Sequence, residues 1–167
     1  LEGMSTPGHA PGSLCYVAAV EDVMFTGDHV LPDTTPNPFI ALVPGSDTQR
    51  TRSLPTYIDS LRKVLERDVS VGYGGHGVPI SDLHTRVREI ITHHEQRKHR
   101  VATLLAETGP ATVYELLEQL FPDLTVTELI TGMSEVIGHL DLLEDENRVE
   151  IRERDGVTWY TLIEKTP

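Results

Sequence analysis

Apolar residues fall in short runs through the first third of the chain and at helical intervals afterwards, and the changes of spacing mark out its elements. "SLCYVAAV" and "VMFTG" predict two short neighbouring strands joined at Glu21-Asp22. In "TYIDSLRKVLERD" the apolar positions Tyr57, Ile58, Leu61, Val64 and Leu65 share one helical face, with Thr56 as the expected cap. "VSVGY" then reads as a buried strand running into "GGHG". From Ser81 a long helix is expected, with Leu83, Val87, Ile90, Ile91, Val101, Leu104 and Leu105 on one side and Gly109-Pro110 as its stop.

Two segments interrupt this alternation. "STPGHAPGS", Ser5 to Ser13, surrounds His9 with proline and glycine, which predicts a tight, rigid loop that holds one imidazole still. "DHVLPDTTPNPFIALVPGSDTQRTRSLP" contains five prolines in 28 residues and predicts a long irregular excursion, a kind of segment that tends to carry function in a compact domain. Beyond the long helix, Thr112 with Glu115 and Thr125 with Glu128 read as capping boxes opening two more helices. The second of these carries Leu129, Ile130, Met133, Val136, Ile137 and Leu140. "RVEIRERDGVTWYTLI" alternates around Asp155-Gly156, a hairpin signal. The chain therefore divides near residue 93, inside the long helix. An α/β layer is expected over 1–92, and three helices with a terminal hairpin, a small winged-helix module, over 93–167.

Composition narrows the function classes. Lys plus Arg number 14 and Asp plus Glu 26, a net charge of -12 that repels nucleic acid and anionic lipid. From Arg97 onward 7 basic residues face 14 acidic ones, so the second module is the wrong charge for nucleic acid, and Glu128, Glu135 and Asp141 are expected on its exposed face. Packing, shaping of a substrate entrance or a homo-oligomer contact suits it better. Trp159 and Tyr160 serve as core or as part of such a contact. The single cysteine, Cys15, rules out an internal disulfide and a CxxC zinc site, reads as a buried thiol in "LCYVAAV", and fits a reducing cytoplasm. No apolar run is long enough to span a membrane.

The chemistry gathers at His9, at Asp28 after an apolar strand in "MFTGDHV", and at His76 in "GYGGHGVP". Each alone reads as a turn residue; all three at strand ends suit a zinc-type cation, which takes imidazole nitrogen and carboxylate oxygen. "TPGHAPGS", then "FTGD", then "GGHG" followed by a helix resembles the second half of the metallo-β-lactamase superfamily. "HHEQRKHRVATLLAETGPATVYELL" and the tail are similar to the winged-helix domain appended to a hydrolase subgroup that also resembles hydroxyacylglutathione hydrolases.

The resemblance implies half of an αββα sandwich. It also implies metal-ligand roles for His9, Asp28 and His76: His9 on a first metal, Asp28 bridging two, His76 on the second. Two zinc ions are expected, with manganese or iron as alternatives. They lower the pKa of bound water to about 7, and the bridging hydroxide attacks a carbonyl or phosphoryl centre. The substrate would be a small molecule, a thioester first, with a phosphodiester or RNA next and a β-lactam last. The family's HxHxDH motif is absent, so this chain holds three of the expected ligands, leaves one sheet face uncovered, and is expected to be inactive alone. The missing half is expected from a longer chain or a second chain, and the opening "LEGM" favours a fragment. The competing class is a non-catalytic interaction module acting through the winged helix.

Two further patterns lie outside this resemblance. Gly72, Gly74 and Gly77 match G-x-G-x-x-G, but Pro79 and Ser81 delay the helix past the point a dinucleotide fingerprint needs. In "HHEQRKH", His93, His94 and His99 are not spaced to face one way, which predicts a solvated helix face joining two domains. His29 is expected as a rim or support residue.

Overall fold

The computed structural model describes residues 1–43 and 45–163. They form two compact units, Leu1–His93 and His94 onward. The first contains a four-stranded sheet in the order β1-β2-β3-β4. Its strands are β1 (Glu2–Ser5), β2 (Leu14–Ala18), β3 (Val23–Gly27) and β4 (Val71–Gly74). β1 and β3 both pair antiparallel with β2, and β4 pairs parallel with β3. The parallel step needs a crossover, supplied by the proline-rich excursion and helix α1 (Ser53–Leu65). This mixed α/β architecture is the one the sequence predicts.

Alternation sorts the sheet into two faces. Met4, Cys15, Val17, Met24, Thr26 and Gly72 are buried, as are Tyr57, Ile58, Leu61 and Val64 of α1. Cys15 is fully buried, as expected, with its Sγ 3.3 Å from the Thr6 hydroxyl; burial pushes the thiol up and that hydrogen bond offsets it in part. On the opposite face Gly3, Tyr16, Phe25 and Tyr73 lie in register across all four strands. The three rings are exposed, and Phe25 and Tyr73 stack with centroids 5.6 Å apart.

Two boundaries differ from expectation. β1 takes Ser5 out of the loop and pairs it with Leu14; with only Met4 buried, the strand is too short to show alternation in the sequence. Helix α1 starts three residues before Thr56, whose hydroxyl donates to the Arg52 carbonyl from within the first turn. Pro55 is tolerated there because its missing N–H would have no helical partner anyway. Ser53 anchors the start by donating to the Phe39 carbonyl at 2.7 Å. Downstream, Arg86 bonds the carbonyls of Leu31 and Thr34 and so fastens the beginning of the irregular segment.

Helix α2 (Leu83–Thr108) stops at Gly109 and contributes to both units. The second unit continues with α3 (Val113–Leu120), a short 3₁₀ turn, α4 (Leu129–Asp145) and the hairpin β5 (Val149–Arg154) and β6 (Val157–Leu162). Both capping boxes form. Asp155 and Gly156 carry positive φ at the hairpin turn, as the dipeptide requires. Val101, Leu104, Leu105, Leu116, Leu117, Val136, Leu140, Leu143 and Tyr160 close the core of this unit.

The polar middle of α2 corrects the solvated-face expectation: His94 and Lys98 are buried. Lys98 pairs with Glu95 at 2.6 Å and with Glu146, and these carboxylates outweigh the opposing pull of burial to hold the ammonium above its usual range. Asp141, expected on the surface, is 2% exposed, and the Glu135 side chain is 11% exposed. Both sit on α4 among its buried residues.

Candidate metal site at the sheet edge

Strand direction assembles the site. Because β1 and β3 both oppose β2 while β4 follows β3, the carboxyl ends of β1, β3 and β4 lie at one edge of the sheet. His9 lies in the loop after β1, Asp28 immediately after β3, and His76 in the turn after β4.

Asp28 and His76 are in reach of one another, with Oδ1 3.5 Å from Nε2. Their side chains are 42% and 78% exposed, open to a ligand. Two turns are tied together beneath them, the Gly75 N–H donating to the Gly27 carbonyl at 2.9 Å. A Cβ at Gly75 would sit 2.4 Å from Asp28 Oδ1, so the carboxylate's position depends on a residue without a side chain.

His9 is fixed by a different set of contacts. The loop is closed by Thr6 N–H donating to the Ser13 carbonyl at 2.9 Å, and the Ser60 hydroxyl donates to the Pro7 carbonyl at 2.7 Å. Gly8, at φ 140°, lets the backbone lie directly against α1, where an added Cβ would be 2.4 Å from Tyr57 Cα. His9 Nδ1 is 3.0 Å from the Asn37 carbonyl. A carbonyl only accepts, so Nδ1 carries the proton and Nε2 keeps its lone pair, the tautomer a metal requires. Phe39 meets the ring edge-on, with centroids 6.2 Å apart. His9 thus shares the edge with Asp28 and His76 and is set against the 37–39 segment.

His29 lies behind this layer. It is 1% exposed, so the rim expectation is corrected to a buried support. Its ring meets Tyr57 edge-on with centroids 5.0 Å apart, and the Tyr57 hydroxyl donates to the His29 carbonyl at 2.7 Å. Burial pushes the imidazole down to about 4, against an opposing effect of the Ser60 backbone and with small additions from His9 and Lys63. His29 is therefore neutral at physiological pH.

The donor set fits a zinc-class cation. Two ligands at about 2.0–2.1 Å from one four-coordinate metal stand about 3.4 Å apart, close to the Asp28–His76 spacing. Asn37 and Tyr57, which position His9 and back His29, escaped sequence reasoning because the first lies in the irregular segment and the second reads only as core. A second cluster was missed as well. His94, Glu135 and His139 place ligand-type atoms within 4.8 Å of one another. The one-turn spacing of Glu135 and His139 on α4 is the sequence signal that marks them.

No protein-family model matches the chain. It is 32% identical over 152 residues to the "Probable metallo-hydrolase YqjP" of Bacillus subtilis, covering 89% of this chain and 47% of the relative. It is 31% identical over 172 residues to an atrochrysone carboxyl ACP thioesterase of Aspergillus aculeatus, covering 93% of this chain and 50% of that protein. The chain thus spans about half the length of these curated relatives. Among solved structures, a metallo-β-lactamase family protein from Thermus thermophilus matches 98% of this chain and 49% of its own, with a TM-score of 0.79 and 29% identity. A β-lactamase domain protein from Burkholderia ambifaria shows the same fold at a TM-score of 0.83, 23% identity and 97% coverage of this chain, 48% of its own.

Proposed function

Taking as premise that the chain belongs to the metallo-β-lactamase superfamily of hydrolases, we propose that it supplies the carboxyl-terminal half of a metal-dependent thioester hydrolase. The observation that carries this reading is that β1, β3 and β4 end at one edge of the sheet and place His9, Asp28 and His76 in the loops there, with Asp28 and His76 3.5 Å apart. A divalent metal held there, zinc first, supplies a Lewis acid and a way of making a nucleophile from water at neutral pH. Residues outside this chain provide the remaining ligands, as they do for a two-metal site.

The chain's own residues keep the site in shape. Asn37 fixes the His9 tautomer, Gly75 leaves room for the Asp28 carboxylate, and buried His29 packs edge-on against Tyr57, the residue that Gly8 lies against. A thioester is favoured over the phosphodiester and lactam alternatives because the relatives include proteins named as acyl-carrier thioesterases. The second unit is assigned as a winged-helix module with an interaction role, its acidic charge opposing nucleic acid.

The test uses the whole protein that contains this chain. Hydrolysis of an acyl thioester, followed by release of free thiol, is expected to stop on chelation, return with zinc, and fall by roughly 100-fold or more in Asp28→Asn. Turnover unchanged both by chelation and by replacing His9, Asp28 and His76 together with alanine overturns the reading.

A further inference from the structure

We propose that His94, Glu135 and His139 form a second divalent-metal site, of zinc type, built within the second unit and independent of the sheet-edge site. Their ligand-type atoms all lie within 4.8 Å of one another in a buried setting. Glu135 and His139 project side by side from successive turns of α4, and α2 brings the His94 ring to a centroid distance of 5.5 Å from that of His139. Two imidazoles and one carboxylate are a recurrent zinc ligand set that leaves a fourth position for water or another ligand.

His139 is already held from one side. Its Nδ1 lies 2.7 Å from the Glu135 carbonyl, which only accepts, so Nδ1 carries a proton and Nε2 is the nitrogen a metal would take. The Glu135 Oε1 that stands 3.9 Å from His139 Nδ1 also faces Arg97, whose Nε is 3.8 Å from it and whose guanidinium lies over the Phe121 ring at 4.9 Å. Lys98, one helical turn beyond His94, is engaged by Glu95 and Glu146 and so directs its charge to those carboxylates. Binding would draw the ligand atoms from at most 4.8 Å to about 3.4 Å, the spacing around a four-coordinate ion.

The two sites are separable by variant. In the full chain with His9, Asp28 and His76 all replaced by alanine, the metal-stripped protein titrated with cobalt(II) alone is expected to take up one ion per chain. It should show the visible absorption of a low-symmetry nitrogen and oxygen site, and zinc should displace the cobalt and raise the Tm. Adding Glu135→Gln is expected to weaken uptake by roughly 100-fold, and adding His139→Asn to abolish it, with far-UV circular dichroism confirming that the fold survives. Should His139→Asn fail to fold, X-ray absorption of the cobalt-loaded parent variant decides: two imidazoles and a carboxylate support the site, and a shell without imidazole overturns it. No uptake by the parent variant, or uptake unchanged by Glu135→Gln, also overturns it. Because none of these readouts is hydrolysis, the outcome stands apart from the thioesterase reading.

Discussion

Replacing Gly8 by alanine should destabilise the first unit more than any other single-methyl addition to the His9 loop. The added Cβ would lie 2.4 Å from Tyr57 Cα, 2.5 Å from Tyr57 Cβ and 2.7 Å from Tyr57 N. Normal carbon contacts are about 3.5–4.0 Å, so the loop or the helix must move by more than about 1 Å. The neighbours are backbone and Cβ atoms of a buried helix, with no flexible end to swing aside. The φ of 140° adds backbone strain of about 1–3 kcal/mol for a residue with a side chain. Overpacking adds about 1–3 kcal/mol. A combined loss of about 2–6 kcal/mol lowers the Tm of a unit this size by at least about 8 °C. Gly12→Ala is the control: nothing lies within 4 Å of its Cβ, and its stability should stay within about 0.5 kcal/mol of wild type. Thermal and urea unfolding followed by circular dichroism measure both. A Gly8→Ala protein that melts within about 2 °C of wild type would refute the account of how this loop is anchored.

Other consequences are equally direct. Gly75→Ala should leave the Tm unchanged, since the obstructing atom is the movable end of Asp28, yet weaken zinc binding at the sheet edge by roughly 10–100-fold in a competition titration. Leu117→Ala, at a position 1% exposed in the core of the second unit, should cost about 2–5 kcal/mol in urea unfolding. Thr112→Ala should cost about 1 kcal/mol through loss of the helix cap. The same box has an acid-side signature. Hydrogen bonds from the Thr112 N–H and hydroxyl hold the Glu115 carboxyl below its usual 4.5, so its contribution is present above that value and is lost as pH falls through the depressed one. A pH series of Tm values should show that slope in wild type and its absence in Glu115→Gln.

The features legible in the sequence are those whose causes are local. Thr112 with Glu115, and Thr125 with Glu128, satisfy each other within one turn; Asp155-Gly156 makes a hairpin from its own backbone preferences. The residues around His9, Asp28 and His76 announce turns for the same reason. Features set by distant partners were hidden. Nothing near Asn37 shows that its carbonyl meets His9, and the burial of His94 and Lys98 depends on α4 and the turn after it, far along the chain. The Thr56 expectation failed because the start of α1 is set by Ser53 reaching back to Phe39, a contact that cap preferences do not encode.

The parallel pairing of β3 with β4 also dictates when, during folding, the sheet-edge site comes into being. Asp28 and His76 meet only after the whole excursion and α1 have been threaded between the two strands, so the loop-closure entropy of that crossover is met before the two ligands can share an ion. A metal held there, as proposed, would act as a late clamp on the native state: it would slow unfolding by its full binding effect and leave the rate of folding almost untouched. A chelator added to the folded protein would then shorten the lifetime of the native sheet without altering the path by which that sheet is made.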